Sequence, residues 1–101
     1  MMRKIIMYWR DIPSMVTIKK GREKGKAMLP EKFQEAIDRA AMRAGKGSSD
    51  LYIEEWHSVT HEIEYDGDLL ALATSEAARI AAEVDDEMLK ALVRNNGNSP
   101  A

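Results

Sequence analysis

Hydrophobic and polar positions alternate early in the chain. Lys4-Ile5-Ile6-Met7-Tyr8-Trp9 is rich in β-branched and aromatic residues and ends at the turn-prone Asp11-Ile12-Pro13-Ser14, which predicts a first strand. Met15-Val16-Thr17-Ile18-Lys19 then places Val16 and Ile18 on one face and Thr17 and Lys19 on the other, a half-buried second strand antiparallel to the first. Gly21 to Lys26 reads as a charged loop, with a bent continuation of the strand as the alternative. The period then changes. Pro30 suits a first helical turn, and Phe33, Ile37, Ala40 and Ala44 recur at spacings of 4, 3 and 4 before Gly45, which predicts a helix over 30–44.

Beyond the loop 45–50 the pattern is weaker. Leu51-Tyr52-Ile53-Glu54-Glu55-Trp56 alternates as a strand, although Asp50 could instead cap a short helix. Glu62 to Tyr65 alternates again, and Asp66-Gly67 suggests a hairpin turn into a fourth strand at 68–70. Ala77, Ala81, Val84, Met88 and Leu92 keep helical spacing from Thr74 or Ser75 to Arg94, with a break equally plausible at Val84-Asp85-Asp86-Glu87. The order ββαβ(β)α predicts an α+β domain over 1–94, a mainly antiparallel sheet with two helices packed on one face. Residues 95–101 are polar and are expected to fray as a flexible tail.

Composition narrows the function classes. At 101 residues, with 45% hydrophobic and 32% charged residues, the chain has the make-up of one folded domain and not of a disordered segment. No cysteine is present, which removes disulfides, thiolate metal sites and redox pairs. The apolar run after Met1-Met2-Arg3-Lys4 is too short for a secretion signal, and no stretch approaches a membrane span, so the cytoplasm is the expected compartment and no membrane partner is expected. The net charge of −2 conceals a strong polarity: residues 1–49 carry twelve Lys/Arg against five Asp/Glu, and residues 50–101 carry three against twelve. Lys19, Lys20, Arg22, Lys24 and Lys26 fall within eight residues opposed only by Glu23. A solvated or mutually facing pair of halves would explain this polarity; a docking surface for a charged partner is the functional alternative.

Three longer stretches bear on family. Met7-Tyr8-Trp9-Arg10-Asp11-Ile12-Pro13 with Val16 to Arg22, then Phe33 to Gly45, then Ser49 to Trp56, resemble a short bacterial family known as virulence factor, mainly over residues 1–56, while His57 to Gly67 departs from its pattern. Similar domains occur alone or joined to helical-repeat and iron-sulfur-scaffold-like domains. The resemblance implies an accessory role, with stand-alone members as companions of one-carbon, corrinoid-linked methyl-transfer systems, and it brings no catalytic residues.

Candidate chemistry is sparse. His57 and His61 would share a helical face with Glu54 or Glu62 as a conceivable zinc arrangement, but on a strand they would stand too far apart for one ion. Ser58 adjoins His57 without the glycines of a nucleophile elbow. Gly21-Arg22-Glu23-Lys24-Gly25-Lys26-Ala27 is one residue short of a phosphate loop and lacks its Ser/Thr. The paired acids Glu54-Glu55 and Asp85-Asp86 are sequence neighbours that point apart. No metal or cofactor is therefore expected. The reading favoured is a non-catalytic protein-interaction domain whose partner-facing edge comprises Trp9, Arg10, Asp11, Lys19, Lys20, Arg22, Lys24 and Lys26 and receives an acidic protein. A nucleic-acid binder using 19–26, with Tyr8 or Trp9 as a stacking ring, and a small enzyme subunit are the alternatives.

Overall fold

A computed structural model describes residues 2–45 and 49–99. Strands β1 (Met2–Trp9), β2 (Ile12–Lys20) and β3 (Glu23–Met28) run up, down and up, followed by helices α1 (Glu31–Arg43) and α2 (Ser49–Glu54). Strand β4 (Trp56–Ile63) and helices α3 (Leu69–Glu83) and α4 (Asp86–Arg94) complete the order. The sheet is antiparallel throughout, in the order β3-β2-β1-β4. The α+β class expected from the sequence holds, with four helices among the described residues in place of two.

Each departure from the expected elements has a physical cause. The charged loop at 21–26 is a tight turn followed by β3: Gly21 takes φ +60°, a conformation cheap only for glycine, and Lys20 pairs directly with Glu23. Residues 51–56 do not form a strand; 49–54 are helical, and β4 begins only at Trp56. The expected hairpin at Asp66-Gly67 is absent, because Asp68 accepts a hydrogen bond from the Ala71 amide at 2.9 Å and so caps α3 from Leu69 onward. The long second helix breaks at Val84-Asp85, where Asp85 accepts from the Met88 amide at 2.8 Å and opens α4.

Strand alternation sorts the sheet into two faces. Met2, Ile6, Val16 and Ile18 belong to the face that α3 crosses, together with Gly25, against which the Leu69-Leu70 backbone lies. Lys4 emerges on this side and reaches Glu76 of α3 at 3.1 Å, half-buried. Near the β1–β2 turn, where Pro13 pairs with Tyr8 and Ser14 is bulged out of register, the core continues through Trp9 and Ile12 to Phe33 and Ile37 of α1. α1 packs in turn on α4. The most deeply buried side chains are Trp9, Phe33, Ile12, Ile18, Ile37 and Val16.

The segment after α4 is held in place. Asp11 donates its amide to the Gly97 carbonyl at 2.8 Å, the Ser99 amide donates to the Asp11 carboxylate at 2.6 Å, and the Arg10 guanidinium donates to the Asn96 carbonyl at 2.9 Å. Residues 95–99, expected to be a flexible tail, thus lie against the β1–β2 turn; residues 100–101 lie outside the described residues.

Candidate protein-interaction surface

The sheet face opposite α3 is built from three cross-strand rows. The first runs Glu62, Arg3, Lys19, Lys24; the second Thr60, Ile5, Thr17, Lys26; the third Ser58, Met7, Met15, Met28. Arg3, Lys19, Lys24 and Lys26 are exposed, and among the described residues none forms an ion pair. Like charges directly opposite on a sheet are destabilising, so the Arg3–Lys19–Lys24 part of this row works against folding, whereas Arg3 opposite Glu62 does not. Lys20 and Arg22 are also exposed at the β2–β3 turn, Lys20 in the row of Met2 and Glu23 on the α3 side of the sheet.

At its other end the same face becomes apolar. Met7, Met15, Met28 and Trp56, with Ser14 and Gln34, line a shallow depression of about 300 Å³. Met28 is 62% exposed. Trp56 is half-buried and set edge-on against Tyr52, 5.8 Å between ring centroids, and Gln34 on α1 donates to the Tyr52 hydroxyl at 3.2 Å. Charge patterning exposes the basic half of the face in the sequence, but the methionine row becomes visible only with the strand register.

The remaining residues of the expected partner-facing edge are structural. Trp9 is fully buried: its indole Nε1 donates to the Tyr52 carbonyl at 2.9 Å and its ring stacks on Tyr52. It presents nothing to a partner. Arg10 is half-buried at φ +52°, a strained conformation for a side chain of its size, and is held there by its amide on the Glu55 carbonyl, its guanidinium on Glu55 and Asn96, and the Trp9 ring 5.2 Å away. Asp11 is engaged by Ser99.

The other candidates separate in space. His57 and His61 lie four residues apart on one face of β4, about 13 Å by strand rise, with Val59 between them. His57 stacks on Tyr8, 5.6 Å between centroids, on the α3 side of the sheet. Ser58 faces the opposite way from His57 and stands across from Met7. Among the described residues no three histidines or acids come together as a metal site. The near-phosphate loop is the β2–β3 hairpin itself. Burial pushes the Tyr8 phenol up, and the Arg79 guanidinium hydrogen-bonded to Glu76 holds that carboxyl below its ordinary range, with Lys4 adding to the effect. These groups form a bridge between β1 and α3 and lie away from the basic face. A groove of about 350 Å³ between α1 and α4 is spanned by the Lys32–Asp86 ion pair at 2.8 Å. No helix among the described residues is long and apolar enough to cross a membrane.

A family model described as "Virulence factor" matches residues 7–93, most of the chain. The chain belongs to the virulence-factor family. The family match extends past Trp56, through β4, α3 and most of α4, so the departure noted at His57 to Gly67 does not mark its end. Within the virulence-factor region lie the whole β2–β3 hairpin and all four residues of the methionine–tryptophan depression. No curated protein and no solved structure matches the chain.

Proposed function

We propose that this virulence-factor domain is a non-catalytic accessory module that docks an acidic partner protein through the β2–β3 hairpin. One observation carries the reading: Lys19, Lys20, Arg22, Lys24 and Lys26 are all exposed on one hairpin, without ion-pair partners among the described residues, on a chain whose net charge is −2. Such a surface steers an oppositely charged partner into register and raises its association rate. The setting proposed for that role, on the family resemblance, is a companion subunit of a corrinoid-linked methyl-transfer system.

A sheet-based nucleic-acid binder needs aromatic rings beside its cations. Here Trp9 is in the core, Tyr8 is stacked with His57 on the other side of the sheet, and Trp56, which does share the face, stands on β4 beyond the methionine row and away from Lys24 and Lys26 on β3, which favours a protein as the partner. The test is affinity capture from the native cell with the wild type and a Lys19→Glu, Lys24→Glu, Lys26→Glu variant. The variant is expected to melt close to the wild type, since all three side chains are exposed and the change turns the Arg3–Lys19 repulsion into an attraction while positions 19 and 24 still oppose each other with like charges, and to retain at most about one-tenth of the captured acidic partner. Undiminished capture by the folded variant, or charge-dependent capture of nucleic acid alone, would contradict the proposal.

A further inference from the structure

The basic hairpin is only half of the open face. Following β1 from Arg3 to Met7 covers four residues, about 13 Å, and crossing from β1 to β3 covers about 10 Å. Within that area the surface changes from a row of unpaired cations, across the half-buried Ile5 and a Thr17 that its neighbours bury, to methionines and an indole. Helix diameter with side chains is about 10–12 Å, so one helix laid over the middle row would touch the cations with one flank and the methionines with the other. Methionine is unbranched and polarizable and adapts to the side chains it receives. Trp56, already positioned by Tyr52, supplies a rigid ring at the end of the depression.

We infer that the occupant of this face is an acidic amphipathic helix of a partner protein, its carboxylates on Arg3, Lys19, Lys24 and Lys26 and its apolar side chains on Met7, Met15, Met28 and Trp56. This rests on the docking reading above and adds the class of ligand. Charge complementarity selects an acidic segment, and the methionine row, half-buried at Met7 and Met15 and exposed at Met28, selects one that carries apolar side chains as well. A purely electrostatic partner would leave the 62%-exposed Met28 unused.

The probe is a synthetic helical peptide with leucines along one flank and glutamates along the other, titrated into the full chain and followed by amide chemical shifts. Shifts are expected at Met7, Met15, Met28, Trp56 and the basic hairpin. Replacing the leucines by alanine, or the glutamates by glutamine, is expected to weaken binding about tenfold or more in each case. Met28→Ser is expected to weaken the leucine peptide and leave the alanine peptide unchanged. If the glutamates matter and neither the leucines nor Met28 do, the amphipathic inference is wrong while electrostatic docking stands. Indifference to both changes, or shifts elsewhere on the protein, would remove both. Failure of the peptide to bind would overturn the inference alone, leaving docking to be judged by the capture experiment. Tighter binding of oligo(dT) or oligo(U) on the same residues would replace the protein occupant with a nucleic acid.

Discussion

Gly25→Ala is expected to lower the unfolding free energy by about 3 kcal/mol, the upper end for overpacking a closed contact. A Cβ at this position would lie 2.5 Å from the Leu70 amide nitrogen and 2.6 Å from the Leu69 carbonyl carbon. Both are backbone atoms in the first turn of α3, so no side-chain rotation can relieve the overlap. The helix would have to lift from β3, opening the buried cluster that Leu69 and Ala73 share with Ile18 and Val16. Alanine costs nothing in backbone conformation here, because the position needs no positive φ, and the whole effect comes from the contact. Equilibrium urea unfolding measures it. A change within about 0.5 kcal/mol would mean that α3 does not seat on β3 as described.

Trp9→Ala is expected to cost about 3–5 kcal/mol, as for deletion of a large aromatic ring from a core. The ring ties three segments together: it ends β1, receives Tyr52 of α2 at 6.0 Å between centroids, and is closed on the other side by Gly97, where a Cβ would approach it to 2.8 Å. Its Nε1 hydrogen bond to the Tyr52 carbonyl would be lost as well. Trp9→Phe keeps most of the packing and gives up that bond, and is expected to cost about 1–3 kcal/mol. Urea unfolding and near-ultraviolet circular dichroism distinguish the two variants. Unchanged stability of Trp9→Ala with loss of the partner would return Trp9 to the interface, where its neighbours in sequence first suggested it.

What could be read from the sequence follows from where burial writes a pattern. α1 buries one face, and its period shows in the spacing of Phe33, Ile37 and Ala40; β2 shows alternation through Val16 and Ile18 even though Thr17, on its other face, is buried as well. β3 hides because its outward positions are lysines and one of its inward positions is Gly25, a residue chosen for close approach and not for hydrophobicity. β4 is an edge strand exposed on nearly every residue, so nothing forces alternation between His57 and Glu62. Residues 51–56 show the opposite failure. Tyr52 and Trp56 contact each other edge to face across four positions, a helical spacing that also satisfies strand alternation, and six residues are too few to decide between them. Asp68 caps α3 where the pattern predicts a fourth strand, since an aspartate just after Asp66-Gly67 fits the end of a turn as readily as a helix cap. As for the surface, the cations cluster in sequence and are legible there, whereas Met7, Met15, Met28 and Trp56 are brought together only by the register of four strands.

Docking of an acidic protein on the basic hairpin is tested most directly by photo-crosslinking in the native cell, with a photoreactive amino acid placed in turn at Lys24, Met28 and, as a control on the exposed side of α3, Ala78. Positions 24 and 28 are expected to capture one and the same acidic protein, and position 78 is expected not to. That protein captured from position 78 and from neither 24 nor 28, or adducts of 24 and 28 with nucleic acid only, would contradict it.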